Sequence, residues 1–161
     1  MSSRYCLDAN VFIEAKNGPY GMDIVPSFWE FLDEQADAEA ICSSTAVYEE
    51  LAAGGDTLAD WVKARKDGGM FVEPDQEIQA VFREIADYVM DNYADHQARP
   101  FLNGADPWII AQAKVEGAVV VTYEKLVKHE SAKVKIPNIC VEFDVKYVHT
   151  YEMLRALGAH F

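Results

Sequence analysis

The run Ala118-Val119-Val120-Val121-Thr122 decides how this sequence folds. Consecutive β-branched residues with no polar alternation describe a strand buried on both faces, the pattern of a central parallel strand. Parallel strands are joined by crossovers, usually helical, so helices are expected on either side. Just upstream, Asp106-Pro107 opens a predicted helix, with Asp as N-cap, Pro at the first helical position, and Ile109, Ile110 and Ala113 on its apolar face. Downstream, residues 139–143 are predicted as a strand and 150–157 as a closing helix.

The same alternation continues towards the N-terminus. Tyr5-Cys6-Leu7 is a short buried strand ending at Asp8, and 26–36 is a helix with Pro in its first turn and Phe28, Phe31 and Leu32 at helical spacing. Ala40-Ile41-Cys42 is a second strand, and the hydroxyls of Ser43-Ser44-Thr45 cap a helix over 45–53. Asp56 caps a helix reaching about residue 66, Met70-Phe71-Val72 is a strand, and 75–92 is the clearest helix, with Ile78, Val81, Phe82, Ile85 and Val89 on one face. Residues 93–103 read as a looser stretch. Strands alternating with helices predict an α/β domain, a three-layer α/β/α sandwich around a mostly parallel sheet, with 1–161 as a single domain.

Composition narrows the function. The chain has 161 residues, half of them hydrophobic, and a formal net charge of −13. That charge argues against a general nucleic-acid coat protein, which relies on positive charge to neutralise phosphates. It leaves room for an enzyme that meets nucleic acid through a local basic patch and metal ions. No segment reaches the roughly 18 consecutive apolar residues of a membrane span. The first residues, MSSRYCLDANVF, lack the basic and apolar regions of a signal peptide, so a cytoplasmic protein is expected. Cys6, Cys42 and Cys140 are odd in number, lie in short apolar runs and have no zinc spacing; they are expected as free thiols in the core.

In parallel sheets, chemistry sits beyond the carboxyl ends of the strands. Four acidic positions fall there: Asp8 after the first strand, Glu49 or Glu50 in the helix after the second, Asp106 opening its helix, and Glu124 two residues past the Ala118–Thr122 run. Each could singly be a helix cap or a solvated acid. Gathered together they would repel one another, and a divalent cation removes that conflict. Mg²⁺ takes oxygen ligands and often binds through one or two carboxylates plus water.

These residues stand in recognisable blocks. YCLDANVFI, SSTAVYEEL, NGADPWIIAQA and VVVTYEK occur in the order found in the PIN-domain superfamily, and the resemblance covers essentially the whole chain. That superfamily comprises metal-dependent ribonucleases, among them the VapC-type toxins of toxin–antitoxin pairs. GADPW and the late KIPNICV resemble a less characterised branch. The resemblance implies a PIN-like fold and an endoribonuclease that uses Mg²⁺ or Mn²⁺ to hydrolyse RNA without a covalent enzyme intermediate. It also implies a protein antitoxin as partner, and homodimerisation is a common property of such proteins. Asp8, Glu50 and Asp106 match the family's acids, Asn10 and Thr122 its orienting polar residues, and Glu124 stands where many members have Asp, one methylene longer. A PIN-fold binding module with little or no nuclease activity is the rival reading, favoured by Glu124 and by the net charge.

The remaining candidates are weaker. Lys125, Lys128, His129, Lys133 and Lys135 follow Glu124 and could line an RNA groove, while Lys63, Arg65 and Lys66 cluster at one helix end. His96, His129, His149 and His160 show no ligand spacing. Trp29, Trp61 and Trp108 lie in helical apolar patterns, with Trp108 close enough to Asp106 to stack on a base. There is no G-x-S-x-G elbow and no phosphate-binding G-x-x-x-x-G-K-[ST] loop. The residues before Asp8 are Tyr5-Cys6-Leu7, where a phospho-acceptor receiver domain would want an acidic pair.

Overall fold

The computed structural model describes residues 3–161. Five strands among them, β1 (Tyr5–Leu7), β2 (Ile41–Ser44), β3 (Phe71–Val72), β4 (Val119–Val121) and β5 (Tyr147–Val148), form one sheet in the order β3-β2-β1-β4-β5. Every pairing is parallel, and Cys6 of β1 lies between Cys42 of β2 and Val120 of β4. The valines of β4 are all buried, as their lack of alternation predicts.

Among the described residues, nine helices accompany the strands: α1 (Ala9–Asn17), α2 (Pro26–Asp37), α3 (Thr45–Ala52), α4 (Thr57–Lys63), α5 (Gln76–Asn92), α6 (Asp95–Asn103), α7 (Asp106–Glu116), α8 (Ile136–Glu142) and α9 (Thr150–Ala156). The chain steps from β1 outward to β3, then crosses back to β4 and β5. With right-handed crossovers, that reversal puts α1–α4 on one face and α5–α8 on the other. The expected three-layer α/β/α sandwich follows. On the first face, Phe12, Trp29, Trp61 and Phe71 form a chain of aromatic contacts with centroids 5.0–6.1 Å apart. On the second, α7 lies against β1, β2 and β4 with α5 packed over it, so Pro107 and the whole run from Ile109 to Ala113 are buried.

Several elements differ from expectation. Residues 139–143 are not a strand. All but the last belong to α8, whose buried Ile136, Ile139 and Cys140 recur at helical spacing while Val141 and Glu142 face solvent. The edge strand is instead the two-residue, half-buried β5. The stretch 93–103 is mostly helical: Ala98 and Phe101 bury one side of α6 although Pro100 lies inside it. Helix α1 follows Asp8 directly and buries Val11, Phe12 and Ala15. Ser43 and Ser44 extend β2; the Ser44 hydroxyl accepts from the Ala46 N–H as an N-cap, but the Ser43 hydroxyl donates to the Leu7 carbonyl at 2.7 Å. Asp106 is the first residue of α7 rather than its cap, and Ala105 occupies the cap position without any side-chain bond of its own.

The reversal in strand order between β1 and β4 makes a topological switch point, where the crossovers diverge and leave a crevice at the carboxyl ends of the strands.

Candidate metal centre at the strand ends

Asp8 leaves β1 at the switch point and is only 1% exposed. Its Oδ2 accepts a hydrogen bond from the Thr122 hydroxyl at 3.1 Å, across the β1–β4 pair. The same hydroxyl accepts from the Glu124 N–H at 3.1 Å, so Thr122 fixes both the carboxylate of Asp8 and the turn carrying Glu124. The other oxygen of Asp8, Oδ1, is buried and receives no bond from an N–H or hydroxyl donor, and the only bond open to the Asp8 carboxyl from Asp106 is a proton shared between the two acids. An unpartnered buried carboxylate oxygen is costly. Burial, with the charge of Glu124 added, pushes the Asp8 carboxyl up to about 7, against the opposing bond from Thr122.

Asp106 completes the pair. Its carboxyl turns towards Asp8 rather than back to its own backbone, which is why it caps nothing. Burial comes first among the causes that push it up to about 8, followed by the charges of Asp8, Glu124 and Glu50. Two acids held in the fold well above their ordinary value of 3.8 mark an excess of negative charge in a poorly hydrated crevice.

Glu50 arrives from α3 and caps α7 from outside: its Oε1 accepts from the Ala105 N–H at 2.9 Å. A Cβ at Gly104 would come within 3.3 Å of that oxygen, so the small residue gives Glu50 its approach. Glu49 and Glu50 are both exposed, but only Glu50 makes this bond, adjacent helical residues pointing about 100° apart. Glu124 is also partly engaged, since its Oε1 accepts from the Ile136 N–H at 3.0 Å at the start of α8. No three of these four acids bring carboxylate oxygens within 4.8 Å of one another. The four acids therefore do not form a ready-made three-carboxylate cluster, but their donors are all oxygens, the kind that hard divalent ions take.

Asn10 sits half-buried in the first turn of α1, two residues from Asp8. Of the lysines, Lys133 and Lys135 line a cavity of about 400 Å³ together with Asp106 and Glu124. Lys125 lines a smaller one of about 260 Å³ on the far side of Glu124, with Tyr147 and His149. Lys128 is exposed and reaches neither. Trp108 is half-buried and stacked on Phe82 of α5, with centroids 3.9 Å apart and planes at 13°. His149 caps α9, its Nδ1 accepting from the Tyr151 N–H. Arg65 forks onto Asp33 at 2.6 and 2.7 Å and lies over the Trp61 ring, a packing role.

Over residues 5–161 the sequence matches the family described as Domain of unknown function (DUF4411). The chain belongs to that family. No curated protein matches the chain. Among solved structures, this DUF4411 protein resembles FitAB bound to an IR36 DNA fragment, with a TM-score of 0.53 and 18% identity over 90% of this chain and 94% of that one. FitAcB from Neisseria gonorrhoeae gives 0.52 and 18% over 89% and 95%. VapBC2 from Rickettsia felis, bound to a DNA fragment from its promoter, gives 0.52 and 16% over 90% and 97%. At such identities the likeness establishes the fold, which is the PIN-like one that the ordered blocks imply. Among the described residues, no helix is long and apolar enough to cross a membrane.

Proposed function

We propose that this DUF4411 protein is a divalent-metal-dependent endoribonuclease, acting in the cytoplasm as the toxin of a toxin–antitoxin pair. The observation that carries the reading is the buried, unpartnered Oδ1 of Asp8 beside Asp106, two acids whose proximity the fold maintains at a cost. Asp8 and Asp106 would hold Mg²⁺ or Mn²⁺, with Glu50 and Glu124 reaching it directly or through water. When bound, such an ion lowers the pKa of water and offsets the charge that develops on the phosphoryl oxygens.

The chain's own residues supply the rest. Thr122 pins Oδ2 of Asp8, leaving Oδ1 free for a ligand. Glu124 holds the start of α8 with Oε1 and keeps Oε2 to orient or deprotonate a water. Lys133 and Lys135, across the cavity from Asp106 and Glu124, would take the RNA phosphates. The likeness in fold to the FitAB and VapBC2 assemblies supports a protein antitoxin as partner. A PIN-fold binding module is the second reading, favoured by the engagement of Glu124 with α8 and by the charge of −13.

The test is cleavage of a mixed RNA pool by wild type, Asp8→Asn and Asp106→Asn in Mn²⁺, Mg²⁺ or EDTA. Cleavage that needs the metal and is lost in both variants is the expected result. Equal inactivity of all three proteins, together with no Mn²⁺ binding by calorimetry, would replace the nuclease with the binding module.

A further inference from the structure

A second constellation of ligand atoms lies away from the acids, beneath α7. Cys6 and Cys42 are register partners on β1 and β2, and their Sγ atoms stand 3.3 Å apart, both essentially without solvent exposure. Glu116, at the end of α7, brings Oε2 to 3.8 Å from the Cys42 sulfur. Among the described residues, these are the three metal-ligating side chains whose donor atoms all lie within 4.8 Å of one another. The buried amide of Gln112 is aimed at the same place: its Nε2 donates to the Cys42 sulfur at 3.3 Å and to the Ser43 carbonyl at 3.2 Å. Asp106 and Glu116 are ten residues apart along one helix, about 15 Å at 1.5 Å per residue, so this cluster is remote from the strand-end acids.

We propose that Cys6, Cys42 and Glu116 form a structural site for one thiophilic divalent ion of the zinc class. Two sulfurs and one carboxylate oxygen are donors that such an ion accepts and that Mg²⁺ does not prefer. The charges also close. Two thiolates and a carboxylate carry −3, Arg4, whose Nη1 lies 3.2 Å from Glu116 Oε2, carries +1, and a divalent ion makes the buried cluster neutral. Each thiol passes its proton to solvent on binding. The Arg4 and Glu116 side chains are 32% and 21% exposed while both sulfurs are buried, so an ion would reach the sulfurs only if this pair parted. The remaining position falls to a water or to the second oxygen of Glu116. Once bound, the ion would tie β1, β2 and α7 together.

The site stands independently of the nuclease reading, and its test uses the reduced, metal-stripped full chain. Zn²⁺ is titrated by calorimetry, and Cd²⁺ by its thiolate-to-metal charge-transfer absorption, both in excess Mg²⁺. The expected result is one ion per chain with a charge-transfer band, unchanged in Asp106→Asn and in Cys140→Ala. The band should vanish in Cys42→Ala, and affinity should fall at least tenfold in Glu116→Gln. The glutamate variant sits at the end of its helix and keeps the core intact, so it stays informative if the cysteine variant misfolds. No band in wild type, a band that survives Cys42→Ala, or unaltered affinity in Glu116→Gln would overturn the proposal. So would a reduced preparation that re-forms a Cys6–Cys42 disulfide faster than it takes up Zn²⁺.

Discussion

Asp8 and Asp106 carry protons in the folded chain at pH values where an unfolded chain has released them, with carboxyls near 7 and 8 against 3.8 for an ordinary aspartate. Folding therefore takes up protons between those values, and the contribution of the pair to stability falls as pH rises from about 4 to about 8. Raising a carboxyl's pKa by one corresponds to about 1.4 kcal/mol, and each kcal/mol to roughly 2–4 °C in a chain of this size. The metal-free protein is thus expected to lose Tm over that window more steeply than Asp106→Asn, as followed by circular dichroism. Equal slopes would show that the two acids do not share their charge. Added Mn²⁺ should raise Tm more at pH 8 than at pH 5, because the ion competes with protons for the same oxygens; EDTA should abolish the gain. Thr122 is the residue on which both Asp8 and Glu124 lean. Thr122→Val keeps the shape but removes the hydroxyl from Asp8 and from the Glu124 N–H, and is expected to cost about 1–3 kcal/mol in denaturant melts. It should also weaken Mn²⁺ binding through the loosened Asp8, and a variant with unchanged Mn²⁺ affinity would remove Thr122 from the site.

At the scale of elements, the two glutamates act as external caps. Glu50 reaches from α3 to the first turn of α7, and Glu124 from the β4 turn to the start of α8. Negative charge at a helix N-terminus is favourable, so neither glutamate is wholly spent on the aspartates. Replacing Glu124 by Gln keeps an acceptor for the Ile136 N–H, whereas Ala leaves that N–H bare. Glu124→Ala should cost about 1 kcal/mol more than Glu124→Gln, measured by urea midpoints, while both variants lose the negative charge near Asp106 alike. The strand-end acids were legible in the sequence because a parallel sheet places chemistry where each strand stops, and Asp8, Asp106 and Glu124 follow apolar runs or open a helix. The identity of α8 was not, because Ile139, Cys140 and Val141 form a short apolar run that resembles a buried strand when solvent-facing Val141 is counted with the other two. Helix α6 was obscured by Pro100 and Gly104, two residues that usually mark loops. The sulfur pair could not be found by spacing at all, since 36 residues separate Cys6 from Cys42 and only strand register brings them together.

For the whole molecule, the question is how a chain of charge −13 would approach a polyanion. On the proposed function the lysines beside the acids would provide the route: Lys133 and Lys135 share a cavity with Asp106 and Glu124, while Lys125 lines another with Glu124. Long-range repulsion from the rest of the surface slows encounter, but it is screened beyond about 8–10 Å at physiological salt. Contacts made inside the cavity persist. RNA binding should consequently depend on salt in an unusual way, with weak affinity at low ionic strength, where the body repels, and little of the steep decline seen in basic proteins. Each lysine that contacts a phosphate still contributes about 0.7 to the slope of log affinity against log salt on a single strand. The double variant Lys133→Gln/Lys135→Gln is therefore expected to shift that slope by about 1.4 in the positive direction and to weaken binding tenfold or more, with Mn²⁺ binding unchanged. Lys128→Gln, exposed and outside both cavities, serves as the control and should alter neither quantity. Fluorescence anisotropy of a labelled single-stranded RNA, measured across a salt series in Ca²⁺ to suppress cleavage, distinguishes the cases. If the double variant and the control bind RNA with the same slope as wild type, the cavity beside the acids is not the nucleic-acid route.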